Sequence, residues 1–347
     1  MEEIVLETKD AVDWSYRSEG VVNLVLAYTG TSPTFLGKVL RTKKMRNTGN
    51  ENGLTTQEKL IWGDIKDLVS SQNKEIAEYL FVKHVMKPLL GHKYVHAGIP
   101  LPVEKEFLES VKKIVTSQRH SWRANAASVD TNRRFALLMD DLTIFSHGFR
   151  GGICKTTPKL ELAFEHILKD FFKTEDDSGV RANTFIELVT ETVYASGALD
   201  QLLDVQKLDK YNIEGAIHAY YDLVDKPCKA CQELESSKLS NQFGSMHSIP
   251  QDEKINILKD FLISSTAIDC SVMISFRPIE TGLSRSSSHG NIHLESTKQE
   301  FEYKVHFIDL DMRPLKRMEA YHESDKKIMK TYLEMLKKKK GDQPRRF

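Results

Sequence analysis

His218, Cys228, Cys231 and His247 follow one another with nine, two and fifteen residues between them. Thiolate and imidazole are the ligands of a closed tetrahedral zinc site, where a Cys-x-x-Cys pair sets one edge and two histidines supply the other. These two cysteines are half of the four in the chain, Cys154 and Cys270 being the rest. Two free thiols and two unrelated histidines would also explain them, but the spacing favours the metal. With no open coordination position, the zinc is expected to be structural and to hold a loop-rich insert that has little core of its own.

Asp269 and Asp309 could do different chemistry. They bound two segments, 269–276 and 301–310, in which apolar residues alternate with the strand period. Paired antiparallel, the start of the first and the end of the second meet at one edge. Phosphoryl transfer from a nucleotide needs two such carboxylates, one to take the acceptor hydroxyl's proton and one to hold magnesium on the phosphates. Taken alone, each reads rather as a strand-end Asp that satisfies nearby backbone donors. Downstream, Arg313, Arg317 and Tyr321 recur at i, i+4 and i+8, which puts them on one face of a helix beginning near Pro314. Guanidinium forks and a hydroxyl suit several closely spaced phosphates, whereas salt bridges to Glu319 and Lys316 would make the same face merely solvated.

The elements that must position these groups can be read from periodicity. The run Arg17-Ser18-Glu19-Gly20-Val21-Val22-Asn23 leads into a strand over 21–28, and its amides could cover phosphates. One glycine makes it an ordinary hairpin turn unless Arg41 joins it from the next strand, 35–41, where Phe35, Gly37, Val39 and Arg41 share a face and Lys38 points the other way. A helix over 73–90 behind an Asn cap, a short strand over 94–97, a helix over 103–115 and a buried strand over 135–139 complete this half, with 140–152 as loop. After the Thr157-Pro158 cap, with Leu160, Phe164, Ile167, Leu168 and Phe171 as an apolar face, the chain reads as helical. Helices are expected over 183–195, 199–206, 213–223 and 252–267. The two strands follow, with a Ser-rich mobile loop over 281–291 between them, and then a last helix over 315–336 that fades at the lysine run from Lys337. The class is α+β.

The 347 residues, 40% of them apolar, suffice for two lobes. Lys plus Arg equals Asp plus Glu at 49 each, so no global field gathers nucleic acid or an acidic membrane, and an anionic ligand must be held by a local cluster. That disfavours a zinc-dependent nucleic-acid binder. No apolar run approaches the roughly 20 residues of a membrane span, and the acidic N-terminus lacks a secretory pattern. The expectation is a monomer in the cytoplasm or nucleus, with the terminal Lys337, Lys338, Lys339, Lys340, Arg345 and Arg346 as a solvated tail.

Several runs resemble the plant inositol-pentakisphosphate 2-kinases. They are Trp14-Ser15-Tyr16-Arg17-Ser18-Glu19-Gly20, Gly37-Lys38-Val39-Leu40-Arg41, the zinc set, Asp269-Cys270-Ser271-Val272-Met273-Ile274-Ser275-Phe276, and Phe307-Ile308-Asp309-Leu310 followed by Arg313-Pro314-Leu315-Lys316-Arg317-Met318. The resemblance covers nearly the whole chain. It implies a two-lobed fold distantly similar to protein kinases, with an N-lobe over 1–150, a C-lobe over 151–347 and ATP between them. It also implies phosphorylation of the 2-hydroxyl of inositol 1,3,4,5,6-pentakisphosphate to the hexakisphosphate, phytate, with ATP, magnesium and structural zinc. By match, Gly20 belongs to the glycine loop, Arg41 to the nucleotide-phosphate contacts and Asp140 to the hinge beside adenine. Asp269 resembles the catalytic aspartate and Asp309 the magnesium ligand. Arg46, Arg123, Arg313, Arg317 and Tyr321 resemble inositol-phosphate contacts, Arg313 standing where a relative has Lys.

The chain departs from the family after the hinge. The family continues into a Glu-x-Lys-Pro-Lys motif and further cationic ligands, whereas here Gly151-Gly152-Ile153-Cys154-Lys155 passes straight to Thr157-Pro158. Each missing charge-assisted hydrogen bond to phosphate costs roughly 1.5 to 3 kcal/mol. An alternative function follows: a catalytically impaired or inactive, zinc-containing protein that binds inositol phosphates or nucleotide.

Overall fold

The computed structural model describes residues 4–45, 53–142, 165–166, 168–169, 171–172, 180–236, 242–279 and 290–341. Its strands are β1 (Trp14–Glu19), β2 (Asn23–Tyr28), β3 (Lys38–Lys43), β4 (Ile99–Pro102), β5 (Phe135–Asp140), β6 (Ser271–Pro278), β7 (Gly290–Leu294) and β8 (Gln299–Ile308). In the first half the helices are α1 (Thr56–Ile61), α2 (Lys66–Ser70), α3 (Lys74–Phe81), α4 (Lys87–Leu90), α5 (Lys105–Gln118) and α6 (Ser121–Ala126). The second half holds α7 (Val180–Ser196), α8 (Ala198–Gln206), α9 (Asn212–Leu223), α10 (Lys229–Ser236), α11 (Gln251–Ile268) and α12 (Met318–Gly341).

The chain divides into two compact units, each assembled from three segments. Unit 1 comprises 1–51, 90–201 and 271–308, and unit 2 comprises 52–89, 202–270 and 309–347. Unit 1 holds a five-stranded antiparallel sheet in the order β1-β2-β3-β5-β4 and a three-stranded one in the order β6-β8-β7. Alternation drives the first sheet: Leu24, Leu26 and Leu40 are fully buried, and Phe107, Leu108, Val111 and Val115 of α5 fill the same core at helical spacing. A second core, with Leu188, Phe276, Leu294 and Phe301 at its centre, lies against the three-stranded sheet.

Unit 2 is helical. The carboxylate of Asp209 accepts hydrogen bonds from the backbone N–H groups of Tyr211 and Asn212, both at 3.1 Å, and so starts α9 in a region where Asn212 takes a left-handed φ of 52°. From there α9 is buried along nearly its whole length and packs on α11. The Thr55 and Glu58 capping box begins α1, and Glu58 is itself buried, its second oxygen accepting from Leu315 N–H at 3.1 Å.

Several expectations need correction. The strand expected over 35–41 begins only at Lys38, because Phe35 and Lys38 donate backbone hydrogen bonds within a turn that ends at Gly37, φ 71°. No strand forms over 94–97: Tyr94 closes a turn on Gly91, φ 95°, and the strand is β4. The end of the expected 281–291 loop is β7, paired with β8. The last helix does not stop at Lys337 but continues to Gly341, since lysine is a good helix former and a basic last turn suits the helix dipole. Residues 143–164, with the Thr157-Pro158 cap and most of the helix expected after it, lie outside the described residues.

Candidate active site and metal centre

β6 and β8 pair antiparallel from Ser271↔Ile308 to Pro278↔Phe301, so Asp269 and Cys270 before β6 and Asp309 after β8 belong to the same end of the ladder. Asp269 is not in the strand; it closes α11 as its C-terminal cap, with its side chain 62% exposed and ion-paired to Arg313 Nη2. Burial, and after it the charge of Asp309, raises the Cys270 thiol above its ordinary value, which reports the closeness of the two chain ends. Asp309 has a φ of 62°, a strained value that Asp tolerates better than most residues and that clusters at functional sites.

Leu310, Met312, Leu315 and Met318 are buried and pin the segment that carries the arginines, while Glu58 holds the Leu315 amide. A 3-10 turn, Leu315–Arg317, precedes α12, so the three expected residues do not all lie on one regular helix. They converge nonetheless. The guanidinium carbons of Arg313 and Arg317 lie 5.8 and 5.5 Å from the centroid of the Tyr321 ring, which is 6.5 Å from Phe261. The Tyr321 hydroxyl is buried and makes no hydrogen bond among the described residues. A donor left in that state beside two arginines is suited to an anion's oxygen.

In unit 1, Gly20 lies in the turn between β1 and β2, its N–H donating to Asn23 O at 3.0 Å, and a Cβ there would meet nothing. The turn is held from behind. Arg119 donates from Nε and Nη2 to the two Glu19 carboxylate oxygens at 3.0 and 2.6 Å, and Lys44 Nζ approaches at 2.9 Å. Burial alone would raise the Glu19 carboxyl, but these two cations outweigh it and hold it below its usual range. Arg123 Nη1 donates to Glu19 O at 2.9 Å, which brings a residue expected to touch inositol phosphate to the turn expected to cover nucleotide. Arg41 is half-buried on β3 between Val25 and Leu137. Asp140 ends β5 with its carboxylate on Lys38 Nζ and His96 Nε2, the latter at 3.0 Å. Burial pushes that carboxyl up, yet Lys38, His96 and Lys304 bring it below its ordinary value. Arg46 lies outside the described residues.

The four candidate metal ligands come together in unit 2. His218 is buried on α9, Cys228 and Cys231 sit at the start of α10, and His247 is in a 3-10 turn, Gly244–Ser248. Their ligand atoms all lie within 4.8 Å of one another. His218 Nδ1 is 3.2 Å from His247 Nε2 and 3.4 Å from each sulfur, and Cys231 Sγ is 3.2 Å from His247 Nε2. Ligands at about 2.0 to 2.3 Å from a tetrahedral ion stand roughly 3.3 to 3.8 Å apart, so the cluster fits a metal. The site is not a loop-rich insert: its buried histidine belongs to a core helix.

Sequence reasoning missed the partners of this cluster. His247 Nδ1 is 2.7 Å from Asp222 Oδ1, and Asp222 Oδ2 is 2.7 Å from Lys254 Nζ, which also donates to His247 O at 2.8 Å. A carboxylate on Nδ1 fixes the proton there and turns Nε2 toward the cluster. Burial, with the charges of His247 and His322, lowers His218 to about 4, and burial raises Cys228 to about 11. Asp222 lies four residues after His218 on the same helix, a signal visible in the sequence. Arg119 and Lys44 carried no such signal, nor did the bond of Glu58 to Leu315, since those partners are distant along the chain.

The family model for inositol-pentakisphosphate 2-kinase matches residues 16–160 and 148–327. A curated relative from Arabidopsis thaliana, an inositol-pentakisphosphate 2-kinase, is 39% identical over 435 aligned positions that cover 95% of each chain. One from Oryza sativa subsp. indica is 32% identical over 425 positions, again 95% of both, and one from Danio rerio is 28% identical over 138 positions, 40% of this chain and 25% of its own. An alignment of 435 positions on a chain of 347 residues leaves at least 88 positions facing no residue here. The family match itself breaks into two pieces that overlap at 148–160. With that one interruption the match runs from β1 through the metal cluster and Arg313 and Arg317 into the last helix, and this chain belongs to the inositol-pentakisphosphate 2-kinase family.

Proposed function

We propose that this chain transfers the γ-phosphoryl group of ATP to the 2-hydroxyl of inositol 1,3,4,5,6-pentakisphosphate, giving the hexakisphosphate. The observation that carries the reading is the common end of β6 and β8, where Asp269, ion-paired to Arg313, and the left-handed Asp309 stand on chain ends that also bear Arg317 and Tyr321. Asp269 takes the proton of the 2-hydroxyl as its oxygen attacks the γ-phosphorus and the bond to the β,γ-bridging oxygen breaks, releasing ADP. The phosphates of the acceptor draw Arg313 from Asp269, and Arg317 and the Tyr321 hydroxyl bind further phosphate oxygens. Asp309 would hold magnesium, whose oxygen-ligand preference a lone carboxylate plus nucleotide phosphates satisfies and whose charge offsets that on the transferring group.

The Gly20 turn, Arg41 and Asp140 are assigned to ATP, and Arg46 and Arg123 to the acceptor. His218, Cys228, Cys231 and His247 are assigned to a structural zinc ion, which their nitrogen and sulfur donors suit. The two-lobed arrangement distantly like a protein kinase, with lobes over 1–150 and 151–347, belongs to this reading, as do a monomeric state, work in the cytoplasm or nucleus and the absence of a nucleic-acid partner. A phosphorylation assay on the purified full chain, with ATP, magnesium and the pentakisphosphate, tests it. Hexakisphosphate is the expected product, and a folded, metal-loaded sample without turnover would refute the proposal.

A further inference from the structure

The balanced charge of the whole chain conceals a local imbalance at the end of α12. Residues 327–340 contain six lysines, at 327, 330 and 337–340, against the single acid Glu334, while Lys326 just before them is ion-paired to Glu233 and Glu323. Every residue from 327 to 337 is exposed. Among them are six large apolar side chains: Ile328 at 65%, Met329 at 47%, Tyr332 at 54%, Leu333 at 51%, Met335 at 52% and Leu336 at 37%. At about 100° per residue these six fall within one arc of roughly 160°, while Lys327, Lys330, Glu334 and Lys337 occupy the opposite side. A solvated tail has no use for such segregation. A helix whose lysines flank and oppose a broad apolar arc is built for an interface.

We propose that residues 327–337 of α12 are a docking surface for an anionic lipid bilayer, lying in the plane of the interface with the apolar arc among the acyl chains and the lysines on headgroup phosphates. Three observations select this occupant. The local charge is strongly positive and complements an anionic surface. Met329, Leu333 and Lys337 border an open groove of about 460 Å³ whose far wall includes Glu214 at the start of α9, so the body of unit 2 stands beside the helix and obstructs a protein that must encircle it, whereas a bilayer needs one side only. A second copy of the chain is disfavoured because six side chains on one helix fall short of the roughly 800 Å² per partner of a stable interface, and the two lysine sets would face each other. No span is involved, and among the described residues no helix is long and apolar enough to cross a membrane. The docking surface does not depend on the kinase reading.

The test is flotation of the full chain with phosphatidylcholine vesicles containing about 30% phosphatidylserine, alongside pure phosphatidylcholine vesicles. Binding to the anionic vesicles alone is expected, lost at high salt. It should fall roughly tenfold or more in Tyr332→Ser/Leu336→Ser and in Lys327→Glu/Lys337→Glu, whose exposed positions leave the fold intact by circular dichroism. The proposal is overturned by no flotation with anionic vesicles, by equal flotation with neutral ones, or by flotation that the Tyr332→Ser/Leu336→Ser pair leaves unchanged. A one-to-one complex with calcium-loaded calmodulin in the absence of vesicle binding also overturns it, as does a doubled mass in solution that this pair abolishes.

Discussion

Asp269 and Asp222 are both carboxylates held by a cation, and the difference between their surroundings separates their roles. Asp269 is largely exposed at a helix end with Arg313 on it, open to an acceptor. Asp222 is held between His247 and Lys254 and faces the metal cluster. Asp269→Asn should therefore lower kcat by roughly 10²- to 10⁴-fold while zinc content by elemental analysis stays the same. A rate within twofold of the parent would remove Asp269 as the base. Asp222→Asn should act the other way, weakening metal affinity by roughly 10- to 100-fold in a chelator competition, because the Nδ1 proton of His247 is no longer fixed. Retention of metal at the parent's chelator concentration would exclude that role. In the metal-free chain His218 titrates near 4 when folded and near 6.5 when unfolded, so stability should be lost as pH falls from about 6.5 toward 4.

At the scale of elements, the turn that carries Gly20 depends on what stands behind it. Glu19 has both oxygens committed to Arg119 and Lys44, with its side chain fully buried. Glu19→Gln leaves two buried cations without their counter-charge and should destabilise unit 1 by about 3 to 5 kcal/mol in urea unfolding. A loss below about 1 kcal/mol would show that the triad does not hold the turn. The carboxyl is lowered in the folded state, so its contribution is present above the ordinary value of 4.5 and disappears as pH falls through the lower folded value. In acid the parent and Glu19→Gln should accordingly converge. The strand pair was legible from alternation, and the helices 183–195, 199–206, 213–223 and 252–267 were legible to within a few residues. The short strands were not: 35–37 alternates like a strand, but Gly37 turns the chain there, and β7 sits beside a Ser-rich stretch whose composition hides it.

For the whole molecule, the interruption at 148–160 sets the consequence. At least 88 aligned positions of the Arabidopsis relative have no residue here, and the family match breaks at this junction. Grafting the relative's segment into the junction should lower KM for the pentakisphosphate by roughly tenfold or more for each charge-assisted hydrogen bond restored, with a smaller change in KM for ATP. Equal KM values in the two chains would mean that the arginines of unit 2 suffice.

Residue type and spacing alone pointed to the metal set, a matter of ligand chemistry, and offered the two aspartates and the arginines as candidates that only the family resemblance gave a role. They also determined the family, which long runs of matched residues carry. Tertiary structure alone decided that Asp269 caps a helix against Arg313, that Asp309 adopts a left-handed backbone, that Glu58 fixes the Leu315 turn and that Asp222 and Lys254 stand behind His247. Those partners lie from a few to more than 250 residues away, at 58 and 315, and only the packed cores set which of them meet.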